Sequence, residues 1–132
     1  MKFAIFIPVR LNSKRLPKKA LKKINGKPVI QLLVERLQKV KNIKNIVICT
    51  TDDPLDDELV KFLEKIKVDF FRGSINDILD RFLKTTQKFQ IDFIIAVDGD
   101  DIYCDPDYVQ KILTKFKKHD ADCYHITGAP VG

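Results

Sequence analysis

The two common glycine-built phosphate cradles are missing from these 132 residues: no G-x-G-x-x-G follows the first apolar run, and no G-x-x-x-x-G-K-[ST] occurs anywhere. A phosphate site in this chain must be made from side-chain cations and loop amides. No apolar run approaches the roughly 20 residues that span a bilayer, and the N-terminus carries no signal-peptide h-region with a small-residue cleavage site, so the expected location is cytoplasmic, away from the membrane. The three cysteines, Cys49, Cys104 and Cys123, are odd in number and far apart, which argues against a disulfide framework and against a C-x-x-C metal knuckle. His119 and His125 have no carboxylate or cysteine at zinc-like spacing.

Acid is also scarce where the chain begins. Residues 1–50 hold 13 Lys/Arg against the single acid Glu35, whereas residues 51–132 hold 11 Lys/Arg against 17 Asp/Glu, so a net charge of +6 hides a basic and an acidic half. Such a basic half suits a polyanion. Nucleic acid is disfavoured because no aromatic residue is interleaved with the lysines of residues 14–27 and no nucleic-acid-binding motif is present. Compact phosphates fit better.

What is present is an alternation of apolar runs and amphipathic patterns. Strands are predicted at residues 3–7, 45–50, 68–71, 92–97 and 121–126. Helices are predicted from Pro28 to about Val40, from near Pro54 after Asp52 or Asp53 as cap, from Ser74 or Asn76 with Ile78, Leu79, Phe82 and Leu83 on one stripe, and after Asp105 with Val109, Ile112, Leu113 and Phe116 facing the core. Strand–helix alternation implies βαβ units, so the expected fold is a single α/β domain over residues 1–132 with a doubly wound, mostly parallel sheet. The stretch from Pro8 to Lys27 has no clear element of its own, and loops of that length are usually functional. Residues 127–132 lead into a loop without a closing helix, so the chain is expected to be a fragment or a shortened form. An uncovered edge on that side would favour self-association into a homo-oligomer.

Two clusters carry the chemistry. I-P-V-R-L-N-S-K-R-L-P-K-K at residues 7–19 leaves a buried strand with Arg10, Lys14, Arg15, Lys18 and Lys19 and no acid. Arginines grip phosphate oxygens bidentately, and Lys19 is a movable point charge. At residues 92–101, D-F-I-I-A-V-D-G-D-D, a second strand ends in Asp98, Asp100 and Asp101, and carboxylates so placed suit Mg²⁺. Cations and metal-binding acids on adjacent strand ends describe a nucleoside triphosphate site. Thr50, Thr51 and Asp52 follow another strand and are candidate nucleotide contacts, Asp52 serving equally well as a helix cap. Asp77 and Arg81 read equally well as an i,i+4 pair.

Taken in order, I-P-V-R-L-N-S-K-R-L-P-K-K-A-L, I-N-G-K-P-V-I, V-I-C-T-T-D-D, F-F-R-G-S-I-N-D-I-L-D-R-F and V-D-G-D-D-I-Y-C-D-P resemble the cytidylyltransferases that activate acidic sugars. The branch typified by spore coat polysaccharide biosynthesis protein F is the nearest in pattern, beside the CMP-Kdo and CMP-N-acylneuraminate synthetases. The resemblance implies a Rossmann-like nucleotide-diphospho-sugar transferase fold and transfer of CMP from CTP to an acidic sugar, with release of pyrophosphate and Mg²⁺ as cofactor, for surface glycan synthesis. Arg10, Ser13, Arg15 and Lys19 would hold and neutralise the triphosphate, Pro8, Val9 and Arg10 would frame the base, the region around Arg72 to Arg81 would lie near nucleotide or sugar, and Asp100 would hold the metal. Asp98, where related enzymes carry a neutral or basic residue, is expected as an extra metal ligand or a mark of altered chemistry. Lys18 stands where the family usually has glycine. The alternative expectation is a catalytically silent nucleotide-binding module that partners another chain.

Overall fold

A computed structural model describes residues 1–118, 120–125 and 127. Four strands, β1 (Phe3–Pro8), β4 (Asn45–Thr51), β5 (Asp69–Gly73) and β6 (Phe93–Ala96), form one wholly parallel sheet in the order β5-β4-β1-β6. β1 is central because both its faces are apolar, as strands covered on both sides require. Ile5 and Ile7 join Ile46 and Ile48 on one face, under α1 (Val29–Leu37), α2 (Asp57–Lys65) and α4 (Pro106–Phe116). Ala4, Phe6, Val47 and Cys49 face the other way, toward α3 (Ile78–Phe89). The chain winds outward from β1 through β4 to β5 and then returns to the far side of β1 as β6. The strand order therefore reverses between β1 and β6, and at such a switch point the carboxyl ends of the strands open into a crevice.

The segment between β1 and α1 is more ordered than its composition suggests. It contains a 3₁₀ turn at Lys19–Leu21 and a small hairpin, β2 (Lys23–Ile24) against β3 (Lys27–Pro28). Asn25 and Gly26 make its turn with φ of 51° and 83°, and Asn-Gly is the pair that a two-residue type I′ hairpin favours. α1 is also shorter than expected, closing at Leu37 rather than Val40.

Two corrections have clear physical causes. Asp77, not Ser74 or Asn76, caps α3: its Oδ1 accepts from the Asp80 amide at 2.9 Å, while Ser74 Oγ accepts from the Asp77 amide. The helix is rotated so that Arg81, Phe82, Thr85 and Phe89 face the sheet, leaving Ile78, Leu79 and Leu83 outside, Leu79 being 79% exposed. Arg81 can face inward because carbonyl oxygens receive its N–H groups. Residues 121–125, expected in a fifth strand, hold no strand among the described residues, and the Tyr124 ring packs on Phe93 and Phe116. Ile126, the expected loop residues 128–132 and His119 lie outside the described residues. Among the described residues no helix is long and apolar enough to cross a membrane.

Two predictions arise here. Asp105 Oδ1 accepts from the Asp107 amide at 2.9 Å at the start of α4, so Asp105→Ala is expected to lower stability by about 1 kcal/mol, read as a shift in urea midpoint. An unchanged midpoint would contradict the cap. Burial in the α3-side core pushes the Cys49 thiol up to about 11, and burial raises Cys104 as well, whereas Cys123 is exposed. At pH 8 a thiol reagent should modify Cys123 first and reach Cys49 only after unfolding.

Candidate active site

The crevice between β1 and β6 is shaped by what happens after β1 ends. Parallel pairing carries on for one more bond, from the Val9 amide to the Cys49 carbonyl at 3.2 Å. The Leu11 amide then donates 2.7 Å to Oδ1 of buried Asp56. Leu11 in turn closes the loop: its carbonyl accepts from Ser13 at 2.9 Å and from Lys18 at 3.0 Å, so residues 12–17 form a compact turn above a buried side chain. Ser13 Oγ accepts from the Leu16 amide within it. Lys18 has φ 55° and ψ 30°, the left-handed conformation in which glycine is the least strained residue. That reversal delivers Lys19 onto the 3₁₀ turn facing β6.

Opposite stands Asp98-Gly99-Asp100. A Cβ at Gly99 would lie 2.7 Å from Val9 Cγ2 and 2.8 Å from the Pro8 carbonyl oxygen, so only glycine lets the two strand ends approach this closely. The approach brings Lys19 Nζ to 2.7 Å from Asp100 Oδ2. That hydrogen bond holds the Asp100 carboxyl below the usual carboxylate range, so Asp100 stays ionised across neutral pH.

The resulting open cleft, about 800 Å³, is lined by Pro8, Val9, Arg10, Ser13, Lys14, Arg15 and Lys19 from the first loop and by Asp98, Gly99 and Asp100 from the second. Six expected nucleotide-contacting residues and both expected metal carboxylates thus share one cavity. Thr51, Asp52 and Arg72 do not. Thr51 is buried with its hydroxyl donated to Asp56, and Asp52 lies outside the lining. Arg72 donates 2.8 Å bonds to the Thr51 and Asp53 carbonyls and pairs with Asp57, fastening β5 to the turn after β4. Thr50 is likewise fully buried. Asp53 proves to be the cap of the next turn.

The stretch from Arg72 to Arg81, expected near nucleotide or sugar, supplies a further wall of the cleft through Ile75, Asn76, Ile78 and Arg81. Sequence reasoning missed Asp56, which accepts from the Leu11 amide. Arg81 makes no ion pair with Asp77, whose carboxylate is spent on capping. Only 2% exposed, it donates to the Ser74, Ile75 and Cys49 carbonyls. Burial lowers its pKa, yet an arginine remains a cation in proteins, so the floor adds positive charge to the cleft. The only sequence signal for Asp56 was its place among four acids in T-T-D-D-P-L-D-D, which does not distinguish it.

The donor set at the acidic rim fits a hard cation such as Mg²⁺. Asp98 and Asp100 are exposed carboxylates, and Mg²⁺ takes one or two of these and fills its octahedron with water and phosphate oxygens. Among the described residues no group of three or more His, Cys, Asp or Glu side chains converges, as a closed all-protein site would need.

Comparison with known proteins agrees with this arrangement. Spore coat polysaccharide biosynthesis protein SpsF of Bacillus subtilis is 32% identical over 130 residues, covering 96% of this chain and 54% of its own length. A cytidylyltransferase from Leptospira borgpetersenii superposes with a TM-score of 0.84 at 31% identity, over 89% of this chain and 50% of that one. CMP:2-keto-3-deoxy-manno-octonic acid synthetase, solved in complex with CTP, superposes with a TM-score of 0.77 at 28% identity, over 89% of this chain and 48% of that one. The chain spans about half the length of the curated relatives it matches. A cytidylyltransferase family model matches residues 4–132, and with the parallel sheet and the charged crevice in place the chain belongs to the cytidylyltransferase family.

Proposed function

We propose that the β1–β6 crevice binds CTP as its Mg²⁺ complex and supports transfer of CMP to a hydroxyl of an acidic sugar, with pyrophosphate leaving. The observation that carries this reading is the meeting, in one cleft, of four loop cations with Asp98 and Asp100. Arg10 and Arg15 supply planar forks for phosphate oxygens, and Lys19 supplies a mobile charge where pyrophosphate would depart. Attack of the sugar oxygen on the α-phosphorus asks little covalent help of a protein; alignment and charge stabilisation are the main contributions. Asp98 and Asp100 would hold Mg²⁺, which when bound neutralises charge on the phosphate oxygens. Lys19 starts paired with Asp100, so binding of the nucleotide redistributes the lysine from carboxylate to phosphate.

The acidic-sugar acceptor and a role in surface glycan synthesis are supported by the relatives, among them an acidic-sugar synthetase and a spore coat polysaccharide protein. The test is pyrophosphate release with CTP, Mg²⁺ and 3-deoxy-manno-octulosonate or other 2-keto acidic sugars, with neutral hexoses as controls. Release that depends on the acidic sugar is expected. Saturable CTP binding with no release under any acceptor would favour the silent-module alternative. No CTP binding at low salt would exclude both.

A further inference from the structure

The loop that carries Arg10, Ser13 and Arg15 needs a fixed seat, because phosphate alignment within a fraction of an ångström cannot come from exposed side chains alone. The β1–β4 ladder supplies only part of it. After Val9 donates to the Cys49 carbonyl, the next acceptor along a parallel ladder would be the Thr51 carbonyl, two residues on. That carbonyl is already taken by Arg72 Nε at 2.8 Å, and β4 turns away at Asp52. Asp56 fills the gap. Its carboxylate, 1% exposed, accepts the Leu11 amide on Oδ1 and the Thr51 hydroxyl on Oδ2, so a side chain stands in for a strand carbonyl. Leu11 then uses its own carbonyl to gather Ser13 and Lys18, both ends of the basic turn. A single buried carboxylate therefore sits at the root of the segment whose tip holds the cations.

We propose, resting on the triphosphate reading above, that Asp56 is the positioning residue of the phosphate loop: it never touches the nucleotide, and it sets the height and orientation of residues 12–19 through the Leu11 amide. The arrangement separates Asp56 from an ordinary buried acid in two ways. Both its oxygens are spent on the junction between β4 and the basic loop, and the bonded amide begins the turn rather than lying within a helix or strand. Asparagine should replace it with little effect, since the carboxamide oxygen can accept from Leu11 and the Thr51 hydroxyl can accept from the amide nitrogen. Alanine leaves the buried Leu11 N–H without a partner and the buried Thr51 hydroxyl without its acceptor, only the Asp53 amide still donating to that hydroxyl.

The experiment measures MgCTP affinity, hydrogen exchange of the Leu11 amide and thermal stability in the unaltered protein and in Asp56→Ala, Asp56→Asn and Thr51→Val. Asp56→Ala should weaken MgCTP about 10- to 100-fold and speed Leu11 exchange, the size expected when a supporting shell around a site is lost. Inorganic tripolyphosphate with Mg²⁺ should lose affinity in parallel, because the effect falls on phosphate contacts. Asp56→Asn should restore most of the affinity. If Asp56→Ala does not fold, Thr51→Val decides, with an expected loss of about threefold from freeing the second carboxylate oxygen. Unaltered affinity in a folded Asp56→Ala or in Thr51→Val, or a loss in Asp56→Asn as deep as in alanine, would overturn the positioning role while leaving the proposed function standing. No MgCTP binding by the unaltered protein would overturn the proposed function, and the positioning role with it.

Discussion

Lys19→Ala and Asp100→Ala are each expected to lower nucleotidyl transfer by about 10²-fold or more, the loss typical of removing one preorganised group that meets charge in the transition state. Both should fold normally. Their mutual ion pair is exposed, with 41% and 56% of the two side chains accessible, and such a pair contributes only about 0–1 kcal/mol. The two variants should nevertheless part company in CTP binding without metal. Lys19→Ala removes a cation from the phosphate side and should weaken it. Asp100→Ala removes a carboxylate that both repels phosphate and occupies Lys19, so metal-free affinity should rise several-fold, consistent with about 1 kcal/mol for one screened charge near contact. Affinity rates and transfer rates measured side by side decide the matter: parallel losses in metal-free binding would show that Asp100 contacts the nucleotide in some other way, and unchanged transfer in either variant would sink the assignment of the cleft.

Gly99→Ala carries the second large effect. Its Cβ would meet the Pro8 carbonyl oxygen at 2.8 Å and Val9 Cγ2 at 2.7 Å, and backbone cannot swing aside as a long side chain could. Overpacking of that kind costs about 1–3 kcal/mol. The functional loss should exceed the stability loss, because relief comes from parting β1 and β6, which moves Asp98 and Asp100 away from Arg10 and Lys19. A urea titration and an MgCTP titration of the same preparation test this. Wild-type affinity in the alanine variant would mean that the two strand ends need not be in contact for binding.

The parts of the fold legible in the sequence are those set by apolar patterning. β1, β4, β5 and β6 fall within a residue or two of the predicted runs, and β1 and β4, buried on both faces, are the most continuously apolar. α3 was misread on its facing: an arginine and a threonine occupy the inward stripe while leucines lie outside, and that depends on carbonyl partners from β4 and the β5–α3 turn, which no local pattern reveals. The Asn-Gly hairpin lies at the end of the stretch expected to hold no element of its own, although its turn chemistry is local.

At the site, the residues of the first loop and the two aspartates were legible because charge accumulates at strand ends, where the topology opens a crevice. Asp56 was not, because its importance comes from a bond to Leu11, 45 residues away. Thr51 was expected as a nucleotide contact from its place at a strand end, and Arg72 near nucleotide or sugar from the family resemblance. They face instead into the scaffold that holds β4, β5 and Asp56 together.

The most direct test of the triphosphate clamp is an NMR titration of the isotopically labelled protein with CTP and Mg²⁺ at low ionic strength. Saturable shifts concentrated in the amides of residues 10–19 and 98–100, with weaker ones at Ile75 and Asn76, are expected. An absence of saturable shifts, or shifts centred away from the β1–β6 crevice, would contradict it.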